Sequence, residues 1–178
     1  MGDGKWISVL HLPARIKYMP MKKLNPDYLR AVLSTVNRCP YFQLISMSIV
    51  EIGEESSRLE ICLGHQHLQP FGMVHGGVFS SLVDATAFWA VFPLLEEGQG
   101  LTTVEMKLNY LAPAVSGKMI GRGVCIKLGK TLALGQAEVS DEQGRILAHG
   151  TATMMILPDL TMGGSTGLPE KFINADNE

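Results

Sequence analysis

The stretch QPFGMVHGGVFSSLVDATAFWAVFPLL, residues 69–95, decides how this chain is read. It joins a turn, a His-Gly-Gly helix start and a long apolar run. From His75 to Leu95 the only formal negative charge is Asp84, set among Val78, Phe79, Leu82, Val83, Ala85, Phe88, Trp89, Val91 and Phe92. Burying an unpaired carboxylate is costly, so a residue of this kind is either paired or does chemistry. The helix starts near His75 and stops near Pro93 or the Glu96-Glu97-Gly98 turn. Because it is apolar nearly all round, it must be covered on most sides.

The rest of the sequence supplies the cover. Upstream, Asn25-Pro26-Asp27 caps a short helix over 28–37 that stops before Cys39-Pro40. Strands are expected over 42–52 and 57–63, forming a hairpin around Gly53-Glu54-Glu55. Downstream, 101–111 alternates, with Val104, Met106, Leu108 and Tyr110 on one face and Thr103, Glu105, Lys107 and Asn109 on the other. Three more strands, over 118–128, 131–140 and 145–157, are punctuated by Gly129-Lys130 and Asp141 to Gly144, giving four strands in a meander. The fold class is α+β, a curved antiparallel sheet wrapped around one long central helix. Residues 1–23, with Pro13 and Pro20 and no clear period, read as an N-terminal extension, 24–157 as the domain, and 158–178 as a loose C-terminal tail.

Composition narrows the function. The chain has 178 residues, enough for one domain with a full core, and its charged fraction of 18% is low for a soluble monomer, which points to an oligomer. A net charge of −2, with no Lys/Arg cluster beyond Lys22-Lys23, argues against nucleic acid as the main partner. The three cysteines, Cys39, Cys62 and Cys125, are odd in number and far apart, so a reducing cytoplasm is the expected location. No signal peptide is read at the N-terminus. The apolar run is long enough to test as a membrane span, but Asp84 at its centre would cost roughly 3 kcal/mol, so no membrane partner is expected.

Gly72-Met73-Val74-His75-Gly76-Gly77, with Leu82-Val83-Asp84 after it, resembles the pattern of hotdog-fold acyl-CoA thioesterases of the phenylacetic-acid-pathway type. Thr103-Val104-Glu105-Met106, Tyr110, Pro113 and Gly129-Lys130-Thr131-Leu132 look like further stretches of that family. Gln69-Pro70-Phe71-Gly72 is closer to the hydroxybenzoyl-CoA and dihydroxynaphthoyl-CoA thioesterases, which usually carry Glu where this chain has Asp84. The resemblance covers about residues 24–157 and mixes features of two branches. It implies a hotdog fold and hydrolysis of an acyl-CoA, with coenzyme A as part of the substrate and no separate cofactor. Asp84 would then be the nucleophile or the general base, Gly76 N–H would polarise the thioester carbonyl with help from the Gln69 amide, His75 would shape the site or contact the thioester end, and Thr103 would orient water. Gly77, Tyr110, Pro113, Gly129, Lys130 and Thr131 match the places where the family contacts coenzyme A.

The motif also has its own physics. Backbone N–H groups at a helix N-terminus stabilise the negative charge that develops on a thioester carbonyl oxygen, and Gly76 and Gly77 let a substrate come close to them. Eight residues of helix put Asp84 about 12 Å beyond Gly76 and roughly 80° round. A carboxylate there cannot easily serve a carbonyl held at its own helix's start, whereas a second helix, antiparallel across a two-fold axis, brings its Asp84 beside the first Gly76. The expected site is therefore shared, with Gln69, His75 and Gly76 from one chain and Asp84 and Thr103 from the other. The resemblance implies the same arrangement, in a homodimer or a dimer of dimers.

Rival readings are weaker. His65, His67 and His75 suggest a metal, since His-x-His puts two imidazoles on one face of a strand, but no carboxylate lies at ligand spacing, so no metal is expected. No Gly-x-Ser-x-Gly elbow supports a serine hydrolase, and the His-centred motif of hotdog dehydratases differs from Gly-x-x-His-Gly-Gly. An acyl-CoA-binding sensor without hydrolysis is the remaining alternative on the same fold. Phe79, Phe88, Trp89 and Met73 are candidates for an aromatic acyl pocket.

Overall fold

The computed structural model describes residues 22–162 and 167–174; the first 21 residues of the expected N-terminal extension lie outside the described residues. In chain order the elements are β1 (Lys22–Leu24), α1 (Pro26–Val36), α2 (Pro40–Leu44), β2 (Met47–Ile52), β3 (Ser56–Cys62), α3 (Gly76–Val91), β4 (Gly100–Tyr110), β5 (Lys118–Leu128), β6 (Leu132–Ser140), β7 (Ile146–Leu157) and β8 (Phe172–Asn174).

Strands β2 to β7 form one antiparallel sheet in the order β2-β3-β5-β6-β7-β4, and α3 packs on its inner face. This is the α+β arrangement expected from the sequence. The four-strand meander is corrected: β5, β6 and β7 follow one another, but β4 pairs with β7 at the sheet edge, and β5 pairs instead with β3. The crossing lets strands from both sides of α3 in the sequence join one sheet around it.

Helix α3 buries Phe79, Leu82, Val83, Ala87, Trp89 and Ala90. The sheet approaches it closely where side chains are absent. A Cβ on Gly123 of β5 would stand 2.4 Å from Thr86 O and 2.7 Å from Ser57 Oγ, which itself donates to Thr86 O at 2.6 Å. Residues Gly76–Leu94, α3 and the 3₁₀ turn after it, are long and apolar enough to cross a membrane, yet their buried side chains face this sheet.

The expected strand over 42–52 starts later, at Met47, because Pro40 at N1 begins the short helix α2. Asn25 caps α1 as expected, its side chain accepting from Asp27 N–H at 2.9 Å. The loose tail is also corrected over part of its length. Phe172–Asn174 pairs with Lys22–Leu24, Asn25 N–H donates to Lys171 O, and the Lys171 ammonium, on a side chain 3% exposed, donates to Phe92 O at 3.1 Å and Leu95 O at 2.6 Å. Both carbonyls lie just past the end of α3, where the helix macrodipole favours a cation.

Strand β4 carries a bulge at Val104, between the Thr103–Met154 and Glu105–Thr153 pairs. Strict alternation would put Thr103 on the face opposite Met106. The extra residue instead turns Leu101, Thr103, Met106, Leu108 and Tyr110 toward α3 and leaves Val104 49% exposed.

Candidate active site

Two clusters form along α3. The first surrounds its N-terminus. Residues 69–73 make a tight turn closed by Gln69 N–H to Met73 O at 2.8 Å and Gly72 N–H to Gln69 O at 2.9 Å, with Gly72 at φ 78°. Val74 N–H bonds Ala114 O and His75 N–H bonds His67 O, which fixes the chain as it enters the helix. His75 is the N-cap, its Nδ1 accepting from Gly77 N–H at 2.8 Å. Gly76 N–H has no acceptor among the described residues. Gln69 uses Oε1 to accept from Phe71 N–H at 2.7 Å, and its Nε2 likewise has no acceptor among the described residues. Tyr110 lies over this helix start, its hydroxyl 3.0 Å from Ser80 Oγ and its ring edge-on to Phe79. Gln69, Met73, His75, Gly76, Tyr110 and Pro113 line a cavity of about 560 Å³.

The second cluster lies two turns further on. Thr103 Oγ1 donates to Asp84 Oδ1 at 2.9 Å. Both residues are half-buried, so the carboxylate has a hydroxyl partner and an opening to solvent, and the pairing posed by the sequence is met by a neutral donor. Around them Tyr41, Phe42, Ser81, Phe88, Trp89 and Met106 complete a cavity of about 480 Å³. Tyr41 Oη is 2.6 Å from Ser81 Oγ, which itself donates back to Gly77 O.

The residues expected to bind coenzyme A divide in the same way. Gly77, Tyr110 and Pro113 lie with Gly76. The turn Gly129-Lys130-Thr131 lies at the Thr103 end of the sheet: Thr131 O accepts from Ile156 N–H, and Ile156 is paired with Leu101, two residues before Thr103. None of these three turn residues lines either cavity.

Sequence reasoning missed Tyr41, Phe42 and Met47 on the wall of the Asp84 cavity. The signal available was Pro40 opening a helical turn rather than a strand. It also placed Phe88 and Trp89 together with Phe79 and Met73; the structure puts the first pair beside Asp84 and the second beside Gly76. His65 and His67 form a 3₁₀ turn, not a strand. Both His67 ring nitrogens are engaged, Nδ1 accepting from Gly64 N–H at 2.8 Å and Nε2 lying 2.9 Å from Ile45 O. Among the described residues no group of three or more His, Cys, Asp and Glu is arranged to hold a metal. A larger cavity of about 860 Å³, lined by Leu24, Glu54, Glu55, Glu96 and Phe172 among others, contains none of the motif residues.

A sheet curled around one long helix, with a His-Gly-Gly helix start, defines a hotdog-fold protein. The Thioesterase superfamily model matches residues 71–148. The chain is 30% identical over 108 residues to 1,4-dihydroxy-2-naphthoyl-CoA hydrolase of Escherichia coli, covering 60% of this chain and 78% of that one. It is 28% identical over 129 residues to acyl-coenzyme A thioesterase 13 of Mus musculus, covering 70% and 91%. The solved structure of a thioesterase from Haemophilus influenzae superposes with a TM-score of 0.70 at 25% identity, over 82% of this chain and 99% of that one. The chain belongs to the Thioesterase superfamily, and the activity that membership gives it is hydrolysis of a thioester.

Proposed function

We propose that the substrate is an acyl-CoA, split to free acid and coenzyme A at a site assembled from two copies of the chain. The observation that carries this reading is the separation of two complementary half-sites on one helix: an open Gly76 N–H in one cavity and the Asp84–Thr103 pair in the other. About 12 Å of helix keeps them apart within one chain, and an antiparallel second copy would bring unlike halves together. The eleven-residue edge strand β4 supports such a pairing, since its outer side has no strand partner among the described residues. So does the α3 surface Gly77, Ser80, Ser81, Asp84, Ala85 and Phe88, which the sheet leaves at least partly open.

At such a site the Gly76 N–H, at the positive end of the α3 dipole, polarises the thioester carbonyl, and the Gln69 Nε2 amide donates a second hydrogen bond. The Asp84 carboxylate either takes a proton from water, whose oxygen attacks the carbonyl carbon, or attacks that carbon itself to give an anhydride that water then opens. In both routes the C–S bond breaks and the coenzyme A sulfur leaves to take up a proton. The Thr103 hydroxyl fixes the carboxylate's orientation. Gly77, Tyr110 and Pro113 from one copy and Gly129, Lys130 and Thr131 from the other would hold the coenzyme, with the Lys130 ammonium available to a phosphate.

The test is a panel of aryl, short-chain and long-chain acyl-CoAs followed by release of free thiol, with Asp84→Ala alongside. Turnover abolished by that substitution is expected. Tight acyl-CoA binding with no turnover of any member would favour the sensor reading, and turnover indifferent to Asp84→Ala would remove this mechanism.

A further inference from the structure

The Asp84 cavity continues away from the carboxylate. Asp84 and Phe88 of α3 and Phe92 at its C-cap stand at i, i+4 and i+8 and so form one stripe along the helix. The cavity holding Asp84 shares Phe42, Phe88 and Trp89 with a second cavity of about 410 Å³. That second cavity is walled by Val36 and Cys39, by Phe92 and Leu101, and at its far end by Leu160 and Met162. The aromatic wall is preassembled: Phe88 stacks on Phe92 with centroids 6.1 Å apart, and Trp89 meets Phe92 edge-on at 5.0 Å. Its side-chain polar atoms come from Thr35 and Thr161, together with the Cys39 thiol and the Trp89 indole N–H.

Resting on the acyl-CoA hydrolase reading above, we infer that this pair of cavities holds the acyl group and selects an aliphatic chain of about ten to twelve carbons. Length follows from the helix: Asp84 to Phe92 spans about 12 Å, and an extended chain of single bonds advances about 1.2 Å per bond. Chemistry follows from the lining. A hydroxylated aryl acid entering the second cavity would strip water from its hydroxyls and find few partners deep in the wall, whereas methylenes lose nothing there. The 160–162 segment closes the end and sets the limit. The Phe92 wall is held from behind by Lys171, whose ammonium is bonded to Phe92 O and Leu95 O and lies 5.0 Å from the centre of the Phe92 ring that lines the cavity.

The test uses the full chain and saturated acyl-CoAs of four to sixteen carbons, plus benzoyl-CoA. Burial of each methylene favours binding by up to roughly fourfold, so kcat/KM is expected to climb with length and level off near twelve carbons. Met162→Trp and Cys39→Trp fill the far cavity from two different segments; either is expected to lower the dodecanoyl-to-butyryl ratio by roughly 50-fold, about three methylenes' worth. Two variants guard against one failing to fold, with thermal unfolding as the check. Calorimetric binding of the same acyl-CoAs to Asp84→Ala protein separates this inference from the hydrolase reading. Affinity that rises with chain length and falls in the Met162→Trp background supports the cavity even where nothing is turned over. Affinity independent of chain length overturns the inference, as does a preference for benzoyl-CoA that the fillers leave unmoved.

Discussion

Thr103 Oγ1 donates to Asp84 Oδ1 at 2.9 Å, tying the sheet-edge strand to the carboxylate on the central helix. This contact exists because β4 bulges at Val104. Without the extra residue, the strand segment that turns Met106 toward α3 would turn Thr103 to the outer face, out of reach of Asp84. One hydroxyl donor orients the carboxylate, whose Oδ2 has no hydrogen-bond partner among the described residues.

The two residues therefore separate by variant. Asp84→Asn keeps the shape and the Thr103 bond but cannot take a proton or attack, and should cost at least ~100-fold in kcat on a thioester substrate. Thr103→Val removes only the orienting bond and should cost about 10-fold in kcat with KM little changed, while stability moves by about 1 kcal/mol or less, the net worth of one hydrogen bond. Steady-state kinetics with urea unfolding as a control measures both. Equal losses in the two variants would mean that Thr103 does more than orient Asp84.

Much of the fold was legible in the sequence because the two periods are cleanly written. The apolar run around Asp84 can only be a covered helix, and the alternation in 57–63 and 101–111 marks half-buried strands. What alternation cannot show is a place where the count slips by one. Alternation therefore puts Thr103 on the face away from Met106, although its match to the family pattern does not depend on the face. Strand order was hidden as well, since which strand neighbours β5 is decided by packing around α3 and leaves no local signal. The sequence reads the second half of α2, from Phe42, as strand because Phe42 and Leu44 carry strand-compatible side chains; tertiary packing of Phe42 against the core outweighs that. The split of the site into two clusters was legible from helix arithmetic alone. The continuation of the Asp84 cavity past Phe88 was not, because its far wall comes from Val36, Cys39 and Met162, which are distant in sequence.

Close approach of sheet and helix gives a stability prediction. Alanine at Gly123 would push a Cβ to 2.4 Å from the Thr86 carbonyl oxygen, a backbone atom that cannot step aside cheaply. Gly123→Ala should destabilise by about 3 kcal/mol, the upper range of overpacking, despite alanine's lower backbone entropy in the unfolded chain. Urea denaturation reads this directly, and a neutral result would mean that α3 is free to shift away from β5.

Lys171 gives a pH dependence. Burial holds its pKa down to about 8 from the usual 10.5, with Glu96 and Glu97 pulling it back up. Below pH 8 the folded and unfolded chains both carry this proton, so the lysine adds no slope. Between about pH 8 and 10.5 the folded chain has released a proton that the unfolded chain still holds, so stability rises with pH there. Chemical denaturation of wild type and Lys171→Met from pH 7 to 10.5 should show wild type gaining on the variant once pH passes 8. Parallel curves would mean that the ammonium is better solvated than its 3% exposure implies.

Division of the motif between two cavities leads to the sharpest test of assembly. Gly76→Val places a branched side chain over the open N–H and against the Tyr110 ring, where even a bare Cβ would lie 3.3 Å from Tyr110 Cζ, so it should silence the oxyanion half. Asp84→Ala silences the other half. Each variant alone is expected to be inactive. In a homodimer with shared sites, refolding the two together at equal ratio makes half the dimers mixed, and each mixed dimer has one site with both halves intact, so about one quarter of all sites should work. Recovery near that level, measured as thiol release after co-refolding, is the expected outcome. If every site were built within one chain, no mixed assembly would contain an intact site, and the mixture would stay as inactive as its parts.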